Sequence, residues 1–208
     1  MNCLQRTKQD LVNSLLPVTF AAYLIIRMRE FLSDVVSNIS DYGIIQLNHR
    51  TKLRTEEIVL DSLGLSNLNQ MRDRYEGVAF HDSFNRKIMA LCALEQYMDI
   101  EPSDWNHINP KDFQPNLEYL SVGIDVIVSD YGQYPVINKK IERPAVVMIQ
   151  KDNKTMWVCG FASKEVLKKF QDPKKFEGEM NKSKMTAFNG FDRLTPFKDL
   201  NDLKELIA

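Results

Sequence analysis

Cysteine is scarce in this sequence. Cys3, Cys92 and Cys159 are the only three in 208 residues, they lie far apart, and none forms a CxxC pair. An odd, scattered set does not make a disulfide framework, so the reading is reduced and mostly buried thiols. Histidine is equally scarce. His49, His81 and His107 each stand apart from any cysteine, and a tetrahedral zinc site lacks its four ligands at workable spacing. Glycine and proline, at 8 each, exclude collagen-like and linker-like chains. Charge of one sign is missing too: 27 basic and 28 acidic residues leave a formal net charge of -1. Gripping nucleic acid by its phosphates needs a concentrated positive field, so this balance argues against that as the main task. No apolar run is long. Leu15 to Ile26 spans about a dozen residues where a membrane helix needs roughly 20. Arg27 and Arg29 follow the run instead of preceding it, the reverse of a secretory signal. The expectation is a cytoplasmic protein (host cytoplasm or virion, if viral) with no membrane partner. GxxxxGK[ST], GxGxxG, HExxH and GxSxG are all absent, which removes the common nucleotide-binding, metalloprotease and serine-hydrolase classes.

What is present is ordinary globular material: 44% apolar and 26% charged residues, enough to build a core and offset chain entropy. Apolar residues at Val18, Ala21, Ala22, Ile25, Met28, Leu32, Val35, Val36 and Ile39 keep three-and-four spacing, which predicts a helix from Pro17 to Ile39. Phe20, Leu24, Ile26 and Phe31 lie off that stripe. A helix apolar on much of its circumference is either the central helix of the domain or one completed by another subunit. Further helices are predicted over Thr55–Leu63, with Thr55 as N-cap, and over Ser83–Met98, with Ser83 as N-cap and Glu95 in an apolar neighbourhood. Beyond Leu117 the period becomes strand-like. Strands are predicted at Tyr119–Ser129, Ala145–Gln150, Thr155–Phe161 and Met185–Phe191, with a hairpin turn at Asp152-Asn153-Lys154. A helix capped by Ser163 runs to Phe170, and Leu200, Leu203, Leu206 and Ile207 give a closing helix its apolar face. The fold class read from this order is α+β. A helical region over 1–114 precedes a small mixed β-sheet flanked by helices over 115–208, and the two can pack as one unit.

One constellation carries chemistry. Gly123-Ile124-Asp125-Val126 lies within a strand, and a buried strand ending Met148-Ile149-Gln150-Lys151 follows. The strand around Trp157 and a helix come next. This order resembles the core of the PD-(D/E)XK nuclease superfamily, and more narrowly the Mrr-like restriction endonucleases. The family pattern is GxD on one strand and (E/Q)xK on the next. The resemblance implies a restriction-endonuclease-like core that cuts DNA with Mg²⁺, because a hard cation held by oxygen ligands can orient and activate water at a phosphate. It implies Asp125, Gln150 and Lys151 as catalytic residues, with Asp125 and Glu95 holding the metal. The pattern departs in its second half: Gln150 and Lys151 are adjacent, the Gln-x-Lys register puts Asp152 in the lysine place, and keeping Lys151 puts Ile149 in the acidic place.

Each residue also has a plainer reading. Asp125 can hydrogen-bond a turn, Gln150 and Lys151 can form a hairpin shoulder, Glu95 can be a boundary residue on its helix, and Trp157 can pack in the core or an interface. The lysines from Lys164 to Lys184 make a basic stretch diluted by Glu165, Asp172, Glu177 and Glu179, which reads as a solvated face or, in the minority reading, a nucleic-acid contact. The function these readings favour is a non-catalytic structural or interaction subunit of a multimeric assembly, needing no cofactor and partnered by other protein subunits in a homo- or hetero-oligomer. The Asn-, Lys- and Ile-leaning vocabulary suits an AT-rich genome such as many bacteriophages have, and so a virion connector or ring component. The alternative is a Mg²⁺-dependent endonuclease of the Mrr-like type.

Overall fold

The unbroken apolar run Ala145–Gln150 needs cover on both faces, and the fold supplies it. The computed structural model describes residues 21–67, 69–70, 77–105, 108–176 and 182–207. In chain order its elements are helix α1 over 21–34, strand β1 (Gly43–Gln46), helices α2 (His49–Ser62) and α3 (Gly77–Tyr97), and strands β2 (Asp125–Asp130), β3 (Val136–Asn138), β4 (Ala145–Gln150) and β5 (Thr155–Ala162). Helix α4 (Lys164–Lys169), strands β6 (Gln171–Asp172) and β7 (Met185–Phe188) and helix α5 (Leu200–Glu205) complete them. The class is α+β.

The main sheet has the order β1-β5-β4-β2, and a smaller one has the order β3-β7-β6. Strand β4 runs parallel to β2 and antiparallel to β5. Parallel neighbours need a crossover, and here the intervening chain leaves for the second sheet as β3 before returning as β4. Alternate side chains of β4 serve different cores. Val146 and Met148 pack with Ala90, Leu91 and Leu94 of α3. Ala145, Val147 and Ile149 pack with Ile137 of β3, Phe188 of β7, and Phe31 and Val35 from the end of α1. Leu47 and α3, from before residue 114, share a core with β2, β4 and β5.

A bulge keeps β5 in step with both cores. Val147 pairs with Gly160 and Met148 with Val158, leaving Cys159 as the extra residue. Gly160 has φ +136°, and a Cβ there would lie 2.9 Å from the Thr195 carbonyl oxygen. Only glycine accepts both conditions. They let the closing segment bridge the strand: Phe161 N–H donates to Thr195 O at 2.8 Å and Thr195 N–H donates to Phe161 O at 2.9 Å.

Several predicted elements shift. Helix α2 starts earlier, capped by Asn48, whose side chain accepts from Thr51 N–H. Thr55 is instead buried inside the helix, its hydroxyl bonded to the Thr51 carbonyl. Ser83 lies inside α3, which starts at Gly77. The strand predicted from Tyr119 is a 3-10 turn, Glu118–Leu120, broken by left-handed Ser121 before β2 begins at Asp125. Ala145–Gln150 keeps its predicted bounds, β5 extends one residue further, and Ser163 caps α4 through its side chain. Strands β1, β3 and β6 were not predicted; each is four residues or fewer. The predicted start of the first helix at Pro17 lies outside the described residues. That helix ends at residue 34 and passes into a 3-10 turn, Val36–Asp41. The central helix is α3, where Ile88 and Ala90 to Leu94 are buried between α2 and the main sheet. No helix among the described residues is long and apolar enough to cross a membrane.

Candidate functional site

The residues predicted from the nuclease resemblance are not gathered in one place. Asp125 opens β2, opposite Ala145, while Gln150 ends β4, opposite Asp130. Five steps at roughly 3.3 Å per residue put them about 16 Å apart along parallel strands, too far for one metal ion. Lys151 turns to the aromatic side, its Nζ 3.4 Å from the Tyr131 ring centroid and 5.6 Å from that of Trp157. Gln150 Nε2 lies 3.7 Å from Met89 Sδ. Trp157 is buried, as its plainer reading has it.

Glu95, whose plainer reading was a boundary residue on its helix, is buried instead. It is 2% exposed, and both carboxylate oxygens are in use. Arg54 Nη1 donates to Oε2 at 2.8 Å; Ser103 N–H and Trp105 Nε1 donate to Oε1 at 2.9 and 3.0 Å. Arg54 also donates through Nη2 to the Ser103 carbonyl. The carboxylate therefore ties α2, α3 and the following loop together.

Asp125 itself borders a cavity of about 710 Å³. The strand that follows Asp125 in the chain is β3, and Asn138, Lys139 and Lys140 at its end line the same cavity. An amide-x-lysine spacing thus shares a cavity with Asp125, with Asn where the resembled pattern has Glu or Gln. Arg86 and Lys87 come to it from α3, Arg143 from the loop before β4, and Lys184 from the approach to β7. Burial raises the half-buried Asp125 carboxyl above the usual aspartate range; the Arg143 guanidinium opposes this, and the nearby Glu118 and Glu142 carboxylates add to it. Burial, assisted by the Arg86 charge, lowers the ammonium of Lys87. A divalent cation wants several anionic oxygens. Among the described residues no group of three or more His, Cys, Asp or Glu side chains is placed to hold one. The cavity offers one unpaired carboxylate among lysines, and that donor set does not fit Mg²⁺.

The second notable surface is α1. Its C-terminal end is fastened to the body. Phe31 and Val35 are fully buried, and Phe31 meets Tyr131 and Tyr134 edge-on at 5.2 and 5.8 Å. Tyr134 Oη donates to Asp34 Oδ2 at 2.8 Å, Lys175 Nζ also reaches Asp34, and Arg27 Nη2 donates to the Lys175 carbonyl at 2.9 Å. The predicted stripe divides: Val35 is buried and Val36 and Ile39 pack half-buried against the same core, whereas its members from Ala21 to Leu32 are exposed. Ile25, Met28 and Leu32 are 54%, 40% and 41% exposed, and Tyr23, Leu24 and Ile26 are exposed by similar fractions. Phe31, predicted off the stripe, is the buried anchor. Periodicity showed that this helix is apolar on much of its circumference, and for that reason it did not single out the inward face.

Lys87 and Lys139 were missed as site residues, and Lys184 was read only as the end of the basic stretch from Lys164. The cues in the sequence were that stretch and the Lys139-Lys140 doublet, and Lys87 joins them only through the fold. Comparison with family models, with curated proteins and with solved structures finds no match to this chain.

Proposed function

We propose that this chain is a non-catalytic subunit of a multimeric protein assembly, joined to a partner subunit through α1. What carries the reading is the exposed first half of that helix: six large apolar side chains between Tyr23 and Leu32, each 40–56% exposed and spread round its circumference, on an element held firmly at its other end. Single exposed apolar residues are ordinary, but a contiguous set marks an interaction surface. Completing the burial of each half-exposed side chain is worth about 1 kcal/mol, so six supply about 6 kcal/mol toward the entropy of association. A virion ring or connector is the kind of assembly that the composition suits.

The test is light scattering of the purified full chain across a concentration series, beside Leu24→Glu and Ile26→Glu. The expected result is an oligomer, or a stable complex with a partner recovered from its native source, that both substitutions dissolve while circular dichroism is unchanged. A strictly monomeric chain with no partner overturns the proposal.

A second reading, an endonuclease of the resembled kind, keeps one observation in its favour, that Asp125 and the Asn138-x-Lys140 spacing share a cavity, and stands against the misfit of that donor set to Mg²⁺. Its test is Mg²⁺-dependent nicking of supercoiled plasmid that Asp125→Ala abolishes. Absence of nicking removes it.

A further inference from the structure

The charges around the Asp125 cavity do not cancel. Three of its neighbours are matched: Arg86 pairs with Asp130, Lys140 with Glu142, and Arg143 with Glu118. Lys87, Lys139 and Lys184 have no carboxylate within ion-pair reach among the described residues. Lys87 Nζ donates to the Phe113 carbonyl at 2.7 Å, and Lys139 Nζ to the Lys182 carbonyl at 2.6 Å. A neutral carbonyl takes one of the three protons of an ammonium and leaves its charge uncompensated. Three lysines from three separated parts of the chain thus border one space, against a single unpaired carboxylate, Asp125.

We infer that this cavity binds a phosphate group carried on a small organic body of about nucleotide size. A phosphate presents several strong acceptor oxygens and the charge that the three ammonium groups lack. The volume, about 710 Å³, lies well inside the range of roughly 300–1,000 Å³ typical of small-molecule sites. Val128, Val136 and Ile141 give the wall an apolar stretch for a sugar or ring, and Asn138 supplies an amide beside the lysines. Burial first, and the Arg86 charge second, disfavour the Lys87 ammonium, and a bound anion offsets both. The inference is independent of the assembly role proposed for α1, and of whether the chain cuts DNA. The phosphate can belong to a free nucleotide or to the 5′ end of a strand.

The experiment uses the full chain. Calorimetry follows adenosine monophosphate and inorganic phosphate; anisotropy follows one short oligonucleotide with and without a 5′ phosphate. Binding of the mononucleotide identifies the free ligand, and preference for the phosphorylated oligonucleotide identifies a strand end. In either case Lys87→Met and Lys184→Met should each weaken binding about tenfold, the usual cost of one charge-assisted contact. Asp125→Asn should tighten it. Lys184 is exposed, so its variant remains informative if Lys87→Met disturbs folding. The inference is overturned if none of the probes binds at millimolar concentration. It is equally overturned if binding ignores the Lys184 substitution, or if the two oligonucleotides bind alike and the mononucleotide does not bind.

Discussion

Replacing Glu95 by glutamine keeps the shape and removes the charge, and the surrounding geometry leaves the amide no good orientation. If the amide oxygen stays on Ser103 N–H and Trp105 Nε1, its NH₂ group points at Arg54 Nη1, donor against donor. If it turns over, the NH₂ group meets two donors instead. Removing one partner of a buried ion pair costs about 3–5 kcal/mol. The Arg54 side chain is 24% exposed, so water recovers part of its solvation, and about 2–4 kcal/mol is expected for Glu95→Gln. For a chain of this length that lowers Tm by roughly 2–4 °C per kcal/mol, or about 4–16 °C across that range. Urea unfolding followed by circular dichroism gives the energy, and Trp105 fluorescence shows whether its loop loosens first. Arg54→Met with Glu95→Leu should recover only part of the loss, since the apolar pair is itself often neutral but Ser103 N–H, the Ser103 carbonyl and Trp105 Nε1 lose their partners. A Glu95→Gln protein within about 0.5 kcal/mol of wild type would refute the reasoning. It would put Glu95 back among the residues available for a ligand.

Gly160→Ala should destabilise by about 2–4 kcal/mol, because the alanine must hold φ +136° and its Cβ meets the Thr195 carbonyl at 2.9 Å; denaturant midpoints check this. Asp125→Asn should stabilise the protein at neutral pH and make no difference in acid. The folded-state carboxyl is raised, so its contribution is fully present below the ordinary aspartate range and is lost as pH rises through the raised value. Asparagine has no such loss, and Tm at pH 3 and pH 7 measures the difference. Lys151→Gln should cost about 0.5–1 kcal/mol through the lost contact with the Tyr131 ring, and leave phosphate binding at the Asp125 cavity unchanged.

How far the sequence could be read follows the range of the forces involved. Ala145–Gln150, Ser163 as a cap and the turn at Asp152-Asn153-Lys154 were legible because burial pattern and turn chemistry act within a few residues. Strands β1 and β3 were not, because a strand of three or four residues is specified by the partner it joins. Gly43–Gln46 exists to pair with β5, more than a hundred residues on. The site inherits the same limit. Taking β4 as the strand after Asp125 directed attention to Gln150 and Lys151, at the far end of the sheet. Once β3 intervenes, the residues that share the cavity with Asp125 are Asn138, Lys139 and Lys140, a set that favours the proposed anion over a cation. A single short strand therefore decides which chemistry Asp125 can take part in. Asn138→Ala together with Lys139→Met should alter ligand binding at the Asp125 cavity, whereas Gln150→Ala should leave it untouched. The reverse pattern would return the site to the end of β4.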